Sequence, residues 1–148
     1  MRRFPKPSGV LGLAAVLATV AGCAKPLPPV GHWQGIYEDS GLMVVARLEI
    51  DSGGKVRVSA PNLIADLAAM SDRERADLLA RLENGLSQSW PDIAPLPLEF
   101  DGRVFHKPGG VAPQLEWESG QKRMVMVFYS GNRPSIRVRM EQVAAFDS

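Results

Sequence analysis

The sequence holds a single cysteine, Cys23, so no disulfide can form within the chain whatever the redox state around it. It holds two histidines, His32 and His106. Together with one thiol they fall short of the four ligands of a structural zinc site, and neither lies in a metal or general-base motif. No metal and no cofactor is therefore expected. Concentrated charge of one sign is missing too. The 17 basic residues include Arg2, Arg3 and Lys6, so residues 23–148 hold 14 basic residues against 16 acidic ones, a formal charge of −2. That balance argues against nucleic acid, a partner that selects for dense positive charge.

Nucleophile and phosphate motifs are lacking as well. Ser87 sits in Gly85-Leu86-Ser87-Gln88-Ser89, which has no second glycine to make a nucleophile elbow. Gly109-Gly110 is flanked by Pro108 and Val111-Ala112-Pro113 and opens no helix, so it reads as a loop. Glu99 and Asp101, two apart on a strand, share a face as an acid/base pair would. Leu98 and Phe100 take the inward face, which leaves both acids in water. No catalytic residue is assigned, and the chain reads as non-enzymatic. Long apolar runs are also absent: Val10–Ala21, apolar apart from Thr19, covers roughly 18 Å as a helix against a hydrocarbon core of about 30 Å.

What that run does fit is export. Arg2, Arg3 and Lys6 form a positive leader, the short apolar core follows, and the small residues Ala21-Gly22 stand before Cys23, which is the pattern of a secretory signal. Lys25 and the prolines of Lys25-Pro26-Leu27-Pro28-Pro29-Val30 would break any continuing helix. Val20-Ala21-Gly22-Cys23 resembles the lipobox of bacterial lipoproteins. The resemblance implies diacylglycerol on the Cys23 thiol, cleavage before Cys23 and acylation of the new amino group, giving a palmitate-type anchor of several chains that is stable on a membrane. In that family the residue after the cysteine sorts the product. With Ala24 there, the resemblance implies delivery to the outer membrane, facing the periplasm, in a host with two membranes. The expected organisation is a signal peptide over 1–22, a lipidated Cys23 with a Pro-rich extended tether over 23–30, and a single β-rich domain over 31–148.

Within that domain the periodicity is mostly two. Leu42, Val44, Ala46, Leu48 and Ile50 share one face of a half-buried strand, with Arg47, Glu49 and Asp51 on the other. Asp51-Ser52-Gly53-Gly54 is a hairpin signal into a second alternating run with Val56 and Val58 inward. The period then changes. Asn62 is expected to cap a short helix carrying Leu63, Ile64 and Leu67. Ser71-Asp72-Arg73-Glu74 has the capping-box pattern, with the apolar stripe Leu78, Leu79, Leu82 and Leu86 behind it, and the helix is expected to end near Ser89, before Trp90-Pro91. Strand character returns in Pro97–Asp101, Arg103–Lys107, Gln114–Glu118, Met124–Tyr129 and Ser135–Glu141, with turns at Ser119-Gly120 and Gly131-Asn132. The expected class is mainly β with one helical excursion (α+β): an antiparallel meander of about eight strands, forming a curled sheet or small barrel.

Gly31-His32-Trp33-Gln34-Gly35 resembles the Gly-x-Trp opening of lipocalin-like barrels. In that fold the tryptophan packs across the closed end of the barrel; here the helix lies inside the strand series, where a standard lipocalin has it after the barrel. Trp33 is thus read first as a core residue and kept as a candidate binding residue. Met124 and Met126, with Met140, suit either a plastic apolar cavity or a plain core. Lys122, Arg123, Arg133, Arg137 and Arg139 gather basic charge in the C-terminal hairpin, either to meet anionic headgroups, glycan or an acidic partner, or as a solvated face balanced by Glu116, Glu118 and Glu141. Two functions follow. The domain is a small binding module for an apolar ligand, with Trp33, Met124 and Met126 lining it, or an interaction module that docks another envelope protein through its helix or through the basic hairpin that carries Arg137 and Arg139.

Overall fold

The computed structural model describes residues 24–107 and 114–146; the signal peptide expected over 1–22 and the lipidation expected at Cys23 fall on residues outside them. Strands β1 (Gly31–Asp39) and β2 (Leu42–Ile50) form a hairpin in unbroken register, from Gly31 opposite Ile50 to Asp39 opposite Leu42. The turn predicted at Asp51–Gly54 leads into β3 (Val56–Ser59) along the outer edge of β2. Beyond Pro61 the same edge is taken up by β4 (Asn62–Ile64), which pairs with Leu42–Val44. After helix α1 (Asp72–Ser89) come β5 (Glu99–Phe100), β6 (Val104–His106), β7 (Gln114–Glu118), β8 (Arg123–Ser130) and β9 (Arg133–Val143), an antiparallel meander. Strand β9 then returns to β1, so the order across the sheet is β3-β2-β1-β9-β8-β7-β6-β5. β3 and β4 share one interrupted lane. The sheet curls into a half-barrel whose edges approach through a bridge between Val56 and Leu96, with N–H···O distances of 3.2 and 2.6 Å. The mainly-β class, the curled antiparallel meander and the single helical excursion are therefore as the periodicity predicts.

Two expectations are corrected. The segment at Asn62 is a strand, because Asn62–Ile64 finds hydrogen-bond partners on the open edge of β2 that a three-residue helix could not supply for itself. Strand β2 is also buried on both faces. Its inward face, Val44, Ala46, Leu48 and Ile50, joins Trp33, Val56, Phe105, Leu115, Met124, Met126, Val138 and Met140 in the core enclosed by the curl. Its outward face, Met43, Val45 and Arg47, lies under α1, where Met43 packs with Leu67, Leu78, Leu79 and Leu82.

Helix α1 starts where the capping box predicts. The Ser71 hydroxyl accepts the Glu74 N–H, and the Glu74 carboxylate accepts the Ser71 N–H at 2.8 Å. Arg75 ties this end to the sheet through Glu38 at 3.0 Å and the Leu67 carbonyl at 2.8 Å. Leu86 is buried near the other end, so the predicted leucine stripe is spent on the sheet.

Gly35 fixes the sharpest feature of the curl. A Cβ there would sit 2.2 Å from the Arg139 carbonyl oxygen, so β9 crosses β1 at a distance only glycine allows. The Gly-x-Trp-x-Gly pattern thus places Trp33 inward and opens the way for β9 two residues later.

Candidate functional site

The residues singled out from the sequence divide between the two faces of the sheet. Trp33, Met124 and Met126 point inward and are at most 1 % exposed. They pack with Leu48, Val138 and Met140 as core, and Trp33 meets Trp117 edge to face at 6.3 Å. The Trp33 indole N–H is buried without a hydrogen-bond partner among the described residues.

Arg137 and Arg139 point outward on β9. Arg137 reaches over β8 to Glu116 at 2.8 Å and Glu118 at 3.8 Å, and Arg123 holds Glu118 at 2.6 Å. This ladder covers the fully buried Val125 and Val127 of β8, whose outward face would otherwise be bare. Arg139 is exposed and has no ion pair among the described residues. The inward trio and the outward pair therefore belong to different environments.

A second polar cluster lies between β2 and the end of α1. Arg47 is 3 % exposed; its Nε donates to Gln34 and its guanidinium donates to the Ser87 hydroxyl, both at 2.9 Å. Its charge rests 5.1 Å from the centre of the Phe146 ring, which is flanked edge to face by His32 and Trp90. Sequence alternation assigns Arg47 to the outward face correctly. Its burial follows from the helix laid across that face, which the strand pattern alone does not contain. This cluster closes the C-terminal tail and the helix onto the sheet.

The open concave surface lies elsewhere, at the end of the half-barrel where the chain enters. Residues 24–30 run along this end within contact of two turns. A Cβ on Gly102 would be 3.4 Å from Pro26, and one on Gly54 would be 3.5 Å from Pro28. Between this segment and the barrel rim is a groove of about 340 Å³ walled by Pro26, Leu27, Pro28, Gly53, Leu98 and Phe100. A second hollow of about 480 Å³ adjoins it past Gly54 and Leu98 and is edged by Lys55, Pro97 and Lys107. Leu27 is 90 % exposed, an apolar side chain held at the mouth of the groove.

Both turns that frame the groove are braced by an aspartate. Asp51 accepts the N–H groups of Gly53 and Lys55 at 2.8 and 2.9 Å. Asp101 accepts those of Arg103 and Val104 at 2.8 and 2.7 Å and meets His106 Nε2 at 2.6 Å. The His106 bond first, then the two backbone N–H groups, hold the Asp101 carboxyl well below the usual carboxylate range. The Glu99/Asp101 pairing considered from the sequence does not form, since Asp101 has left the strand for the turn.

Sequence reasoning did not identify this groove. Pro26–Pro28 and Leu98–Phe100 are 70 residues apart, and only the wrap of the sheet brings the two segments together. Among the described residues no helix is long and apolar enough to cross a membrane, and no group of three or more His, Cys, Asp or Glu is placed to hold a metal ion. Compared with protein-family models, with curated proteins and with solved structures, the chain matches none.

Proposed function

We propose that this chain is a lipid-anchored cell-envelope protein, cut before Cys23 and acylated on it, whose domain is a non-enzymatic module that holds a small apolar ligand in the groove at its tether end. In a host with two membranes its place is the outer membrane, on the periplasmic side. The observation that carries the binding reading is the groove itself. A concave site walled by Pro26, Leu27, Pro28, Leu98 and Phe100 offers an apolar ligand the surface it needs to leave water. The inward residues Trp33, Met124 and Met126 support the site indirectly, as the packed core behind the rim. The basic hairpin adds little to a docking reading, because Arg137 is committed to Glu116 and Glu118.

Native mass spectrometry of residues 24–148, expressed into the periplasm, tests the binding reading. An extra mass that organic solvent releases, and that Leu27→Asp removes, is the expected result. Leu27 is exposed, so this substitution leaves the core untouched. A clean mass equal to that of the bare chain contradicts a groove ligand.

A further inference from the structure

Residues 24–146 contain four lysines, Lys25, Lys55, Lys107 and Lys122, and the fold brings all four to the tether end. Lys25 lies in the tether and edges the first hollow, while Lys55 and Lys107 edge the second. Lys122 lies in the turn between β7 and β8, whose register with β9 and β1 sets it at the end where β1 begins. All four are exposed, and among the described residues none has a carboxylate within 4.0 Å. The arginines divide. Arg47 lies under α1, Arg57 pairs with Glu49 beside Trp90, Arg75 braces the helix start, and Arg123 and Arg137 are paired across the outer wall, while Arg73, Arg81, Arg133 and Arg139 are exposed. Arg103 joins the lysines at this end, exposed in the turn before β6.

Carboxylates are present at the same end, and their disposition matters. Asp51 and Asp101 are folded back onto the amides of their own turns, and Glu118 is held by Arg123. Asp92 and Glu99 remain exposed. Lys25, Lys55, Lys107, Lys122 and Arg103 thus outnumber the two uncommitted acids of this end, Asp92 and Glu99. The chain also departs from here toward Cys23, two residues before Lys25 and so within about 7 Å of it along an extended chain.

We propose that this end is a membrane-contact face, on which Lys25, Lys55, Lys107 and Lys122 engage the headgroups of anionic phospholipids. Compact, strongly hydrated ammonium groups with no protein partner suit a fluid array of phosphates, whereas the paired arginines suit fixed carboxylates. The contact sets the domain upright, with the groove opening at the bilayer surface and α1 along the side. This deepens the lipid-anchor reading, and its test is made without the anchor so that the two fail separately.

The test uses residues 24–148, which contain the whole core and lack Cys23, sedimented with vesicles of phosphatidylcholine alone or with one third phosphatidylglycerol. The expected result is about five-fold more protein on the anionic vesicles at low salt, lost in half-molar salt. Combining Lys25→Gln, Lys55→Gln, Lys107→Gln and Lys122→Gln should bring binding down to the level on neutral vesicles. Arg133→Gln with Arg139→Gln, away from this face, should leave it unchanged. Equal binding to both vesicles, an unaffected lysine variant, or an equal loss in the arginine variant would each overturn the proposal. So would retention on immobilised polyglutamate without binding to vesicles, which would point to an acidic protein. None of these outcomes bears on acylation of Cys23, which palmitate labelling reads independently.

Discussion

Gly35 shows at the scale of one residue how the curl is made. With β9 running so close across β1, any side chain at this position meets backbone, and backbone can yield only by unseating the strand. Gly35→Ala should therefore lower the unfolding free energy by roughly 3 kcal/mol, at the upper end of overpacking costs. Urea denaturation followed by tryptophan fluorescence checks this, and a change below about 1 kcal/mol would mean that β9 does not hold that position. The need for glycine at this position was not legible in the sequence, where the Gly-x-Trp opening drew attention only to Gly31 and Trp33. The physical cause, a strand 104 residues later in the chain pressing its Arg139 carbonyl against Gly35, is a long-range fact. Trp33 was legible as inward for a simpler reason, since alternation in β1 puts it opposite Leu48 on the core face.

Helix α1 is the element that the sequence specified most fully. Its capping box, its leucine stripe and its stop before Trp90-Pro91 all appear where local chemistry predicts. Removing the cap with Ser71→Ala should cost about 1 kcal/mol in the same denaturation experiment. Two carboxylates, Glu74 at the helix cap and Asp101 in the turn before β6, also give the fold a pH dependence. Glu74 is held below its ordinary range by the Ser71 backbone N–H and then its hydroxyl, and Asp101 by His106 and the turn amides. A carboxyl whose folded pKa is depressed contributes stability that is complete above its unfolded value, about 4, and lost as pH falls through the folded one. The thermal midpoint should thus fall as pH drops below about 4, and Asp101→Asn should flatten that fall. An identical pH profile in the variant would contradict the role given to Asp101. The short elements were the least legible. β4 exists because β2 has a free edge, and β5 is only two residues long where Pro97–Asp101 was expected to run as a strand. Neither the edge nor the curl can be read from a local window.

Across the whole molecule, alternation carried most of the fold. The inward face of β2, the turn into β3 and the order of the last three strands follow from period two and turn residues. The half-barrel's contents were legible as a class, and its open groove was not, because residues 26–28 and β5 meet only when the sheet has wrapped. The segregation of lysine to one end was hidden for the same reason: the four residues are spread from position 25 to 122. In the proposed reading, residues 24–30, the groove and the lysines make one end of the domain the membrane-facing one and leave α1 along the side. The proposed address, by contrast, hangs on the anchor. Its most direct measurement is the intact mass of the full-length gene product, extracted in detergent from the membranes of a lipoprotein-processing bacterial host. The account predicts a chain that starts at Cys23 and carries diacylglyceryl and amide-linked acyl groups. A mass that retains residues 1–22, or one that starts at Cys23 with an unmodified thiol, would contradict it.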